Sequence, residues 1–131
     1  MRFPLVRGVI LLGLFFSDLF LQFYTKAMGW GSPNNGFSFG LGDGIPAFVY
    51  FFLVVGLFIF ILWKKIEQLG WWLVITGGLA NAIARLVTGS VWDYLHWQLL
   101  FSLWFNLADI SITLGVVWQI LNYRYFGKTK T

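Results

Sequence analysis

The sequence predicts an all-α polytopic membrane protein, a single integral membrane domain over residues 1–131 with four transmembrane helices and both termini on the cytoplasmic side. A small, reduced β-element is expected in the first outer loop and an interfacial helix in the second. Three observations carry this reading. First, apolar residues make up 59% of the chain and charged residues 11%, against about 25% charged in ordinary soluble domains. A soluble domain of this size has too little interior for that much apolar surface, and the mean hydropathy of +0.76 agrees with lipid as the main solvent. Second, four stretches approach the roughly 20 apolar residues that a span requires: 8–24, 45–63, 69–87 and 105–121. Third, Lys and Arg are distributed unevenly around them. A cytosolic globular enzyme, a disordered tail and a nucleic-acid module are thereby excluded. The nine Lys and Arg are too few and too scattered for a phosphate-binding face.

Taken in order, the first span runs from Gly8 to Tyr24 and is expected to be retained, because no small-x-small cleavage site follows its apolar run. Cysteine is absent, which removes disulfides, thiolate metal sites, a Cys nucleophile and a lipobox. Met28 to Gly44 carries six glycines in 17 residues, and its Phe37-Ser38-Phe39 alternation predicts one or two short surface strands. Ile45 to Trp63 is an uninterrupted apolar span, and the short Lys64–Gly70 turn makes it the antiparallel neighbour of the next, Leu69 to Val87. The second outer connection, Ser90 to Trp104, is Trp-rich, amphipathic and too short to span; it reads as an interfacial helix, with a hairpin as the other geometry. The last span is Phe105 to Leu121. With the N-terminus inside, Arg2, Arg7, Lys64, Lys65, Arg124, Lys128 and Lys130 face the cytoplasm, and only Lys26 and Arg85 lie toward the outer side.

Ionisable residues inside spans are costly and therefore functional candidates. Here they are Asp18, Arg85 and Asp109. Asn81 and Arg85 are four apart on one helical face, and Asn106 and Asp109 are three apart on the next helix. Consecutive antiparallel helices bring both units to the same depth, forming a small polar pocket near the outer boundary. A structural reading stands beside this one. Gly77, Gly78, Ala80 and Ala82 form a small-residue stripe suited to close helix packing. The two Asn can bond across helices, and Asp18 can pair with Arg85 or Lys26.

Three motifs connect these residues to a family. One runs Gly77-Gly78-Leu79-Ala80-Asn81-Ala82-Ile83-Ala84-Arg85, followed by Gly89, Val91, Asp93 and Tyr94. The second is Phe105-Asn106-Leu107-Ala108-Asp109, extended by Ser111, Thr113 and Gly115. An earlier one is Asn34-Asn35-Gly36-Phe37-Ser38-Phe39-Gly40. On these residues the chain resembles the lipoprotein signal peptidases (signal peptidase II), bacterial membrane aspartic proteases. The resemblance implies a multi-pass protein of the bacterial plasma membrane, its active site facing outward. It implies cleavage of a prolipoprotein before its diacylglyceryl-cysteine, with one carboxylate as general base on a water and a second, protonated, polarising the scissile carbonyl. The implied partners are the diacylglyceryl-modified prolipoprotein, a globomycin-like cyclic peptide inhibitor and the bilayer; no cofactor, metal or nucleic acid is implied.

By the same resemblance Asp109 is catalytic, and Ala84 stands where the family's first catalytic Asp is expected. Asn81, Arg85, Asn106, Ala108, Asn34 and Gly36 are the substrate-binding candidates, with Asp18 and Asp93 in supporting roles. Asp93 and His96 lie beyond the helix end and are not expected to replace a lost carboxylate. The chain is therefore expected to bind substrate and cleave poorly, whether Ala84 is a natural divergence or an introduced change. Two more departures accompany it: Gln22 stands where the first-helix motif has Lys, and Pro33 where an Arg often precedes the early Asn. Other classes kept in view are a pseudoprotease, a membrane-complex subunit docking through Trp92–Trp104, and a small four-helix transporter using Asp18.

Overall fold

The computed structural model describes residues 2–36, 44–64, 66 and 68–126. Four helices and four short strands follow one another: α1 (Arg2–Ala27), β1 (Ser32–Asn34), α2 (Ala47–Trp63), α3 (Leu69–Thr88), β2 (Val91–Asp93), β3 (Leu95–Trp97), β4 (Leu103–Phe105) and α4 (Leu107–Phe126). Pro4 is accommodated in the first turn of α1, where the missing N–H has no helical partner to lose. Pro46 in turn occupies the position just before α2. α1 and α4 differ most from the expected spans: α1 is longer at both ends, and α4 begins two residues late, because Asn106 caps it.

α3 is the central element. It packs most extensively against α4, and then against α2 and α1. The small-residue stripe makes this possible. A Cβ on Gly77 would run into the Ala108 carbonyl and lie 2.8 Å from Ile112. Gly70 and Gly115 face each other in the same way further along the pair. Ser111 Oγ donates to the Leu73 carbonyl at 2.8 Å across the seam. The opposite faces of α1, α2 and α4 expose Leu, Ile, Val, Phe and Trp along their lengths, which is the pattern of helices solvated by lipid. Pro4–Ala27 and Leu69–Thr88 are long and apolar enough to cross a membrane; Ala47–Trp63 and Leu107–Tyr123 are shorter apolar helices.

At the end of the bundle where α1 and α3 finish and α4 starts, two small antiparallel sheets close over the helices. β1 pairs with β2, Ser32 opposite Asp93 and Asn34 opposite Val91. β3 pairs with β4, Leu95 opposite Phe105 and Trp97 opposite Leu103. The connection between α3 and α4 is therefore a strand followed by a hairpin, the second of the two geometries considered, and not the interfacial helix expected. Val91-Trp92-Asp93 alternates between buried and partly exposed positions, the period-2 pattern of a strand, and Val91 and Trp92 are of strand-favouring types. The β-element of the first loop is likewise completed by β2 from the second. The expected Phe37-Ser38-Phe39 strands lie outside the described residues. Gly89 makes the turn from α3 into β2 possible with φ of +82°, a left-handed conformation that glycine adopts without strain.

Gly77→Val is expected to lower stability by about 1–3 kcal/mol, because the new atoms meet backbone that cannot move aside. Thermal unfolding in detergent checks this, with Gly56→Val, where the glycine faces open space, as the unaffected control.

Candidate functional site

The N-terminus of α4 organises the polar cluster. Its first N–H groups have no partner within the helix, and all of them are met by side chains. Asn106 is the cap: its Oδ1 accepts the Asp109 N–H at 2.8 Å, while Asp109 Oδ2 accepts the Asn106 N–H at 3.2 Å. This is a reciprocal capping box, built from Asn and Asp three residues apart. The Leu107 N–H donates to the Tyr94 hydroxyl at 3.1 Å, and the Ala108 N–H donates to Asp18 Oδ1 at 3.1 Å. The Asn–x–x–Asp spacing is thus first a helix-start device, and Asp109 is held in place by it.

The remaining groups assemble around that cap. Asn106 Nδ2 donates to Asn81 Oδ1 and to Asp93 Oδ1, each at 3.0 Å. Asn81 Nδ2 donates to Asp109 Oδ1 at 3.1 Å. Asp93 Oδ2 accepts from Asn34 Nδ2 at 3.0 Å, and Asn34 Oδ1 accepts the Gly36 N–H at 3.0 Å, a local turn that shapes the loop. Arg85 donates from Nη1 to the Asn81 carbonyl at 3.2 Å and from Nη2 to the Gly36 carbonyl. Its guanidinium carbon lies 4.5 Å from the centre of the Tyr50 ring. Two carboxylates, from a strand and a helix, are therefore joined through one asparagine. Asp93 is pushed up to about 7, first by burial and then by the charge of Asp109, against the opposing bonds from Asn34 and Asn106 and the charge of Arg85. Burial likewise raises the Tyr94 hydroxyl above its ordinary value.

Beside the cluster lies a cleft of about 260 Å³ lined by Trp97, Phe105, Asp109, Ile110, Thr113 and Leu114. Apart from Asp109 and Thr113 its walls are apolar. Among the described residues no group of three or more His, Asp or Glu is arranged to hold a metal ion.

The structure brings together Asn81, Asn106, Asp109, Asp93 and Asn34, with Arg85 bridging from α3 to Gly36. Ala108 takes part through its backbone N–H. Ala84 is a buried methyl on α3; the carboxylate that shares Asn106 with Asp109 comes from Asp93. Asp18, given a supporting role with an ion pair to Arg85 or Lys26 as one possibility, accepts from Gln22 at 2.6 Å, Tyr94 at 2.9 Å and the Ala108 N–H. Sequence reasoning named Tyr94 and Gln22 only as motif positions, without a role in the cluster, and did not single out Tyr50. The usable signals were the four-residue spacing of Asp18 and Gln22 on one helical face and the position of Tyr94 next to Asp93.

Residues 20–125 match the family model described as signal peptidase (SPase) II. Similar proteins include lipoprotein signal peptidases of Chlorobium phaeobacteroides, 30% identical with 72% of this chain and 70% of the relative covered; of Synechocystis, 36% identical with 71% and 58% covered; and of Fusobacterium nucleatum, 31% identical with 74% and 64% covered. The chain thus spans 58% to 70% of the length of these relatives. A bacterial membrane enzyme solved by the in meso method at 2.3 Å resolution shares the fold, with a TM-score of 0.80 at 22% identity over 96% of this chain and 92% of that one.

The raised Asp93 links protonation to stability. Its value in the folded state, about 7, lies above the ordinary 3.8, so between these values the folded chain binds more protons than the unfolded one. Stability is expected to fall as pH rises from about 4 to about 7 and then to level off. Melting temperatures across pH check this, and Asp93→Asn should flatten that part of the profile.

Proposed function

The chain belongs to the signal peptidase II family, and from that premise we propose that it is a working aspartic endopeptidase with Asp93 and Asp109 as its carboxylate pair. Its substrate is a prolipoprotein, cut on the amino side of the diacylglyceryl-cysteine. The observation that carries this reading is the single Asn106 side chain bonded to Asp93 Oδ1 and to the backbone N–H of Asp109. Both acids are buried, and two neighbouring buried carboxylates do not both ionise cheaply.

The roles then separate. Asp93, raised to about 7, holds the proton and donates it toward the oxygen of the scissile carbonyl. Asp109, whose two oxygens accept from Asn81 and from the Asn106 N–H, takes a proton from the attacking water. As the tetrahedral species collapses, that proton passes to the departing amine, the C–N bond breaks, and the proton on the former carbonyl oxygen returns to Asp93 as the carbonyl re-forms. Arg85 engages the protein's own Asn81 and Gly36 carbonyls, so in this reading it braces the Asn34–Gly36 loop against α3. The apolar cleft beside Asp109 suits the lipid-bearing part of the substrate. Placing this end of the bundle on the outer face, with both termini in the cytoplasm, follows from the Lys and Arg bias.

The expected impairment rested on Ala84 as a member of the pair. With Asp93 joined to Asp109 through Asn106, a methyl at position 84 leaves two carboxylates in place, which supports reading the chain as active. A cleavage assay on a lipid-modified precursor, with the chain in proteoliposomes, separates the two. Asp93→Asn and Asp109→Asn should each lower kcat on the order of 10³-fold or more, and Ala84→Asp should bring no gain. Near-normal cleavage by Asp93→Asn, or activity appearing only in Ala84→Asp, would overturn this assignment. Activity should also decline as pH rises through about 7, where Asp93 loses the proton it must donate.

A further inference from the structure

Tyr94 directly follows Asp93, and every polar group it has is bonded. Its N–H donates to the Phe105 carbonyl at 3.1 Å. Its carbonyl accepts from Trp30 Nε1 at 2.9 Å. Its hydroxyl accepts the Leu107 N–H at 3.1 Å and donates to Asp18 Oδ1 at 2.9 Å. The direction of these last two bonds is fixed, because a backbone N–H only donates and the single hydroxyl hydrogen must then go to Asp18. Phe105 and Leu107 flank Asn106, the residue bonded to both Asp93 and Asp109. Tyr94 therefore grips the chain on each side of the bridging residue.

α1 reinforces the same points. Asp18 also accepts the Ala108 N–H at 3.1 Å, immediately before Asp109. Gln22 Nε2 donates to Asp18 Oδ2 at 2.6 Å, and Gln22 Oε1 accepts the Trp92 N–H at 3.1 Å, immediately before Asp93. Two side chains one helical turn apart on α1 thus reach the chain neighbours of both carboxylates. Asp18, Gln22 and Tyr94 make no bond to either reacting carboxyl group among these contacts. We propose that they form a positioning clamp that sets the separation of Asp93 and Asp109, with the Tyr94 hydroxyl as the joint between the strand and the helix. The inference rests on the reading of Asp93 and Asp109 as the acting pair.

Such a clamp acts on the chemical step more than on substrate binding, because a misplacement of about 1 Å costs roughly 100-fold in rate. Tyr94→Phe keeps the ring and the backbone bonds and removes only the joint. In the proteoliposome assay it should lower kcat roughly 10- to 100-fold and leave KM within about 2-fold. Gln22→Met, which removes the bonds to Asp18 and Trp92 at similar volume, should do the same and carries the test should Tyr94→Phe not fold. The double variant should lose less than the product of the two single losses, since both open one clamp. A role in stability alone would lower the melting temperature and leave kcat per folded molecule unchanged, and that result overturns the proposal. Asp93→Asn is run alongside. If it is inactive while Tyr94→Phe and Gln22→Met keep full kcat, the clamp fails and the pair stands. If Asp93→Asn keeps full activity, the pair itself fails.

Discussion

Asn106 has 0% of its surface exposed, and its amide is used in three directions at once: toward the start of its own helix, toward α3 and toward β2. A carboxylate in its place would lack the two donors, and an apolar residue would leave the Asp109 N–H, Asn81 and Asp93 each short of a partner inside a buried site. The rest of the polar end depends on this one side chain. It starts α4 where it starts, it joins the two acids, and it ties the helix pair to the strand above it.

The apolar surroundings give these bonds their weight. A chain with 11% charged residues offers few ionic partners, and a buried polar group without a bond is costly. The cluster answers this by being nearly self-sufficient. Asp18 is served by an amide, a phenol and a backbone N–H, and the Asp93 oxygens by two amides. The close approach at Gly77 is part of the same solution, because it brings Ala108, and with it the start of α4, against α3. Packing and polar satisfaction are here two aspects of one seam.

The helices were legible from apolar runs, and the polar end from Asn81, Arg85, Asn106 and Asp109, because helical periodicity and antiparallel neighbours are local rules. What was not legible depended on contacts between distant parts of the chain. β1 and β2 are three-residue strands that pair across almost sixty positions, and neither shows a long alternating pattern by itself. Asp93 was read as lying beyond the end of a helix; the left-handed Gly89 turns the chain back so that it ends beside Asn106. The phenol of Tyr94 was passed over for a related reason. In an aromatic-rich segment it resembles one more membrane-boundary ring, and only the fold reveals that its oxygen sits between Asp18 and Leu107. Resemblance located the motifs and pointed to position 84 for the second acid, whereas side-chain geometry brings Asp93 to Asn106.

At the far end of the β3–β4 hairpin, Leu99 and Leu100 are 81% and 85% exposed, while Trp97 near the turn and Phe105 at the base both line the cleft beside Asp109. Apolar side chains this exposed are suited to hydrocarbon rather than water. For a molecule dissolved in that medium, encounter is a search within a sheet, governed by lateral diffusion and by the number of molecules per unit area. Diluting the aqueous phase leaves such an encounter rate untouched, whereas adding inert lipid lowers it in proportion.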